Sequence, residues 1–133
     1  MLEGGGADTY PEPGADPAAV VTAWLASMRA GMREPARRAA VLAVTGQADT
    51  DPDSALALSR LTADRLEALN ELLEPSGVKV AAAEYALLTG PLMSRIFFER
   101  GAVSDEFIDA VVAGWLAARE RGESGKNGAA GSS

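Results

Sequence analysis

The chain has 133 residues, 47% of them hydrophobic and 23% charged, which suits one domain with a modest core and is too short for two. Its formal net charge of -7 sets up a field that repels phosphate backbones and anionic lipid heads, so no direct nucleic-acid contact is expected. With no Cys and no His, there is no disulfide framework, thiolate nucleophile or imidazole proton shuttle.

Residues 1–15 carry Gly4, Gly5, Gly6, Pro11, Pro13 and Gly14 without a periodic apolar pattern, and are expected to form a flexible N-terminal segment. The stretch also lacks a basic region followed by an apolar core, so no secretion signal is read and a cytoplasmic location is expected. An all-helical domain is expected over 16–121, since Ala and Leu outweigh Val and Ile and no strand-type alternation occurs.

The first helix opens at Asp16, a good N-cap, with Pro17 in the first position, where its missing N–H costs nothing. Its apolar face is Val20, Val21, Trp24, Leu25 and Met28, and it runs to about Gly31. The second begins at Glu34 and Pro35 by the same logic and is expected to stop at Gly46. The third starts at Asp51 and Pro52, shows Leu58, Leu61, Leu66, Leu69, Leu72 and Leu73, and is halted by Pro75, Ser76 and Gly77.

A fourth helix is predicted from Lys79 to Glu99. Its first half is apolar around nearly its whole circumference, and Pro91 should kink it near Leu87 to Gly90. Glu84 and Arg95 lie where a membrane span would not tolerate them cheaply, so no membrane association is expected. The fifth has the best-specified start: Ser104 caps it, Asp105 and Glu106 sit in the first turn, and Ile108, Val111, Val112, Trp115 and Leu116 follow helical spacing without exception. From 122 to 133 the chain is a Gly/Ser-type tail, expected to be disordered.

Two motifs fail on inspection. Gly122 to Asn127 ends like a phosphate-binding loop, but Glu120 stands where the first Gly should be and Asn127 where the hydroxyl should be. Asp49, Asp51 and Asp53 have the alternate spacing of part of a calcium loop, but Ser54 and Arg60 occupy the places of its Gly and bidentate Glu. No enzyme activity, cofactor or metal is expected. A fully apolar helix must be covered on every side, and a chain of this size supplies one covering layer, so a homodimer is expected, burying at least about 1,200 Å² in total.

The run Gly90-Pro91-Leu92-Met93-Ser94-Arg95-Ile96-Phe97-Phe98, followed by Ser104-Asp105-Glu106-Phe107-Ile108-Asp109, resembles the end of TetR-family transcriptional repressors. Those proteins often carry Gly-Pro-Leu, two bulky residues and an Arg on the penultimate helix, then a short Gly-containing turn and an Asp-Glu-Phe-type opening. Here Ser94 stands in place of the second bulky residue. The match covers Ala82 to about Ala118, and helix order and lengths are similar back to Asp16.

The resemblance implies an all-α bundle of about five helices whose last two pair with those of a second subunit as a four-helix-bundle seam. It also implies a small apolar or amphipathic ligand held inside the domain. The family's N-terminal helix-turn-helix is not found, since no basic three-helix segment precedes Asp16, so DNA binding is not credited to these residues. Ligand contacts are expected from Trp24, Met28, Leu61, Tyr85, Leu88 and Phe97. Dimer contacts are expected from Leu92, Ile96, Phe107, Val111, Gly114 and Trp115. Tyr85, Thr89 and Arg95 are the polar groups expected to orient a ligand. The alternative is a stand-alone helical protein-interaction module, an adaptor without ligand sensing.

Overall fold

The structure, a computed structural model, describes residues 11–132, with side chains described for 11–122. It contains five α-helices, and no strand is found among the described residues. They are α1 (Pro17–Gly31), α2 (Pro35–Ala48), α3 (Pro52–Leu73), α4 (Ala82–Met93) and α5 (Asp105–Ser132). A short 3-10 turn, Glu74–Ser76, ends α3, and a π turn, Ser94–Phe98, extends α4.

The caps work as their chemistry requires. Asp16 Oδ1 accepts from the Ala18 N–H at 3.1 Å, and Asp51 Oδ1 accepts from the Asp53 N–H at 3.2 Å while its Oδ2 takes the Ser54 hydroxyl. Ser104 Oγ accepts from the Phe107 N–H at 3.1 Å. Asp51 is thus spent on starting a helix. Gly77, at φ +75, supplies the left-handed residue that lets the chain leave α3.

Three boundaries differ from the sequence reading, each for a local reason. α2 passes through Gly46 to Ala48, because a glycine inside a helix costs only about 1 kcal/mol and does not by itself stop one. α4 starts at Ala82, not Lys79: the Asn70 amide on α3 grips Val80 with two bonds, donating to its carbonyl at 3.0 Å and accepting from its N–H at 2.8 Å. That clip holds the preceding strap extended. The irregularity expected before Pro91 falls after it, where the Glu99 N–H reaches back to the Ser94 carbonyl in the wide π turn.

The core is contributed by Val20, Val21, Trp24 and Leu25 of α1, Leu69 and Leu73 of α3, Tyr85, Leu88 and Leu92 of α4, and Ile108, Val112 and Trp115 of α5. Val80 and Val103 plug the connecting segments. α1 lies at the centre, packed on α5, α3 and α4. By contrast α2 buries no residue and leans chiefly on α3, whose first half buries none either. The two form a hairpin standing off the core.

Residues 1–10 of the expected N-terminal segment lie outside the described residues. Residues 11–15 form no helix, and the Gly14 N–H donates to the Leu72 carbonyl. The expected tail differs from the structure in its backbone, since α5 continues through 122–132; side chains beyond Gly122, that of Lys126 among them, lie outside the described residues. No helix of the described residues is long and apolar enough to cross a membrane.

Candidate functional site

Because the α2–α3 hairpin stands away from α1 and α4, a groove of about 520 Å³ opens between them. That volume falls within the range that accepts drug-sized molecules, about 300–1,000 Å³. α1 supplies Trp24, Ser27, Met28 and Gly31, and Met32 follows at its end. α4 supplies Ala82, Tyr85, Ala86, Thr89 and Met93 from positions spaced three and four apart, which puts them on one face. The hairpin wall is Arg37 and Val41 from α2 with Leu58, Leu61, Thr62 and Arg65 from α3.

Four of the six expected ligand residues, Trp24, Met28, Leu61 and Tyr85, line this groove together. Leu88 and Phe97 do not. Leu88 is 1% exposed, one position round α4 from the groove face and locked in the core, while Phe97 rides on the π turn. Of the expected polar groups, Tyr85 and Thr89 face the groove and Arg95 does not. The π turn carries Arg95 the other way, where Nε donates to the Ala102 carbonyl at 3.0 Å, Nη1 pairs with Glu99 at 2.8 Å and the guanidinium lies 6.0 Å from the Phe107 ring centroid. It fastens the α4–α5 turn.

The outer flank of α4 and α5 is a second feature. Leu87 is 73% exposed, Ala83, Ala86 and Gly90 are exposed with it on α4, and Ala110, Ala113 and Gly114 are exposed on α5. Nothing stands within 4 Å of where a Cβ would project from Gly90 or Gly114, so both are open to close approach. Of the expected dimer residues, Gly114 is exposed, and Ile96, Phe107 and Val111 are half-buried against the core. Leu92 and Trp115 belong instead to the subunit's own core, at 0% and 7% exposure. Phe98, 85% exposed, and Leu87 are the most exposed large apolar residues among those described, and sequence reasoning assigned Leu87 to no surface.

α4 and α5 are also joined by a polar lock that periodicity could not reveal. Glu84 receives the Ala81 N–H, the Trp115 indole N–H at 3.0 Å and the Arg119 guanidinium. Partial burial pushes its carboxyl up, but the bonds from Ala81, Arg119 and Trp115 and the Arg119 charge together outweigh that, leaving it below the usual carboxylate value. Arg119 also lies 5.7 Å from the Trp115 ring centroid, so the lock ties the start of α4 to the middle of α5.

Among the described residues no group of acids could hold a metal ion. The chain matches no protein-family model, no curated protein and no solved structure.

Proposed function

We propose that this chain is the ligand-sensing, dimer-forming domain of a TetR-type transcriptional repressor, acting on DNA only through a helix-turn-helix that these residues do not supply. The observation that carries the reading is the groove of about 520 Å³ whose α4 wall, Tyr85, Ala86, Thr89 and Met93, backs onto the exposed flank of Leu87 and Gly90. One short helix therefore serves both faces. A ligand that fits one placement of α4 better than another biases the flank, and with it the relation between two subunits docked there. The Gly-Pro-Leu run and the Asp-Glu-Phe opening noted above agree with this reading.

The ligand is a small amphipathic molecule, because the lining mixes Trp24, Met28, Leu61 and Met93 with a few hydroxyls and two arginines. A thermal-shift screen against lipophilic metabolites tests it. Saturable stabilisation is expected, rising by about 2.7 kcal/mol at a hundredfold excess of free ligand over Kd. Stabilisation by a protein partner alone, with every small molecule silent, would instead identify an adaptor. Leu42 and Leu56, 48% and 51% exposed on the outside of the hairpin, are the observation that favours that rival.

A further inference from the structure

We infer that a second cleft, where the end of α1 meets the start of α2 and the turn between α4 and α5, binds the phosphate group of a small phosphate ester. The cleft encloses about 400 Å³. Four of the chain's 12 basic residues line it: Arg29 on α1, Arg33 just beyond that helix, Arg38 on α2 and Arg100 after the π turn. No Asp or Glu is among the lining residues. The cleft borders the groove at Met32 but is a separate space, and the inference does not rest on the ligand-sensing reading.

Four guanidiniums around one space repel one another, and a compact anion of high charge relieves that repulsion. Two of them are already placed. Arg29 Nη1 donates to the Val103 carbonyl at 3.2 Å and pairs with Asp105 at 2.7 Å, but that carboxylate is 81% exposed and water screens it. The Arg29 Nε is buried without an acceptor among the described residues. Arg38 Nη1 donates to the Met32 and Arg33 carbonyls at 2.7 and 3.1 Å, which folds it over the end of α1. Arg33 and Arg100 are exposed, and their side chains enter no ion pair between described residues.

A phosphate monoester brings close to two charges on three oxygens, which guanidinium forks take bidentately, whereas a carboxylate brings one charge. The volume exceeds what a bare oxyanion fills, and Met32 and Ile96 line the remainder. A nucleic-acid strand or an anionic membrane would extend past the cleft into the field of a chain of net charge -7, so a small molecule is favoured over either.

Arg100 adds an independent observation. It sits at φ +57, and the Gly101 N–H beyond it donates to the Arg95 carbonyl at 2.9 Å, closing the helix end. The left-handed position of such an ending is ordinarily glycine. Here the glycine is one residue on, at Gly101, where a Cβ would stand 3.0 Å from the Arg95 guanidinium. An arginine therefore occupies a strained position beside the cleft, as befits a side chain kept for contact and not for the turn.

Calorimetric titration of the whole chain near pH 7.5 at constant ionic strength, with phenyl phosphate, inorganic phosphate and benzoate, tests the inference. Phenyl phosphate is expected to saturate one site per chain, about tenfold or more tighter than benzoate and tighter than inorganic phosphate. Arg33→Gln and Arg100→Gly should each weaken it about fivefold to tenfold, while Arg65→Gln, in the groove, leaves it unchanged. Arg100→Gly should also raise Tm by about 2–5 °C, since glycine takes φ +57 without strain. Affinity and stability then move in opposite directions, which a purely structural arginine would not produce. Benzoate binding as tightly as phenyl phosphate, or inorganic phosphate binding as tightly as the ester, would overturn the phosphate ester as ligand. Affinity lost with Arg65→Gln and kept with Arg33→Gln and Arg100→Gly would put the anion in the groove and refute the cleft.

Discussion

Leu87→Asp isolates the dimer proposal from the fold. Leu87 is 73% exposed and its neighbour Leu88 is 1% exposed, so one step along α4 separates a residue that contributes little to its own subunit from one that is indispensable to it. Covering a leucine fully is worth about 1.5–3 kcal/mol, so a seam that hides the exposed part of Leu87 gains about 1–2 kcal/mol per subunit and twice that per dimer. An aspartate at the same place loses that gain and adds a carboxylate desolvated against a symmetry mate, costing several kcal/mol more. The dimer should weaken by about a thousandfold or more, since each 1.4 kcal/mol is a factor of ten.

Sedimentation equilibrium across micromolar concentrations reads the dimer constant, and urea denaturation of the monomer reads the fold. Wild type should be dimeric, and the Leu87→Asp variant monomeric with helix content and unfolding slope retained. Two results would refute the reasoning. A wild-type chain that is monomeric throughout removes the seam, and a Leu87→Asp dimer of unchanged affinity shows that any seam lies off this flank.

Leu92→Ala should behave in the opposite way: the side chain is wholly buried, so a cavity forms, stability drops by about 2–5 kcal/mol and the dimer constant per folded chain is unaffected. Gly77→Ala forces a Cβ onto φ +75 and should cost about 1–2 kcal/mol in urea denaturation, where an alanine at Gly90 should be tolerated in the monomer. Because the folded state lowers the Glu84 pKa, the stabilisation its carboxylate provides is present above the unfolded value and is lost as pH falls through the lowered one. Glu84→Gln should therefore cost about 1–2 kcal/mol near pH 7, and the gap to wild type should narrow as pH falls below the ordinary carboxylate range. A gap that persists in acid would mean that the lock acts through packing and not through charge.

Helix number, order and three of the caps were legible in the sequence because they depend on neighbours in the chain: Asp16, Asp51 and Ser104 each accept an N–H two or three residues on. What spans the fold was not. The Asn70 clip on Val80 shortens α4 from a distance of ten residues, and the Glu84 lock reaches Arg119 across 35. No periodicity announces either. Leu88 was misplaced for a related reason: an all-apolar helix gives no polar face against which to set its rotation, so Leu87 and Leu88 look alike until α1 is docked. Four of the six residues expected to contact a ligand line the groove, and three of them, Trp24, Met28 and Tyr85, do so because aromatic and sulfur side chains on core helices border whatever space the core leaves. Arg37 and Arg65 were missed because charge at helix spacing looks the same on a solvated face as on a groove wall.

The hairpin that carries those arginines is also the part of the molecule with least to hold it. α2 buries no residue, α3 buries only Leu69 and Leu73 near its far end, and Leu42, Val44, Leu56 and Leu61 remain exposed. Local stability follows buried apolar contact, so this hairpin belongs to the low-stability end of the structure, while α1, α4 and α5 share the core. On the proposed function, a molecule in the groove would add apolar surface where the hairpin lacks it, against Val41, Leu58 and Leu61. The binding free energy is then divided between holding the ligand and ordering its own wall. Amide exchange should accordingly slow most in α2 and the first half of α3 when a ligand from the thermal-shift screen binds, and protection confined to α1 and α4 would show that the wall was already set.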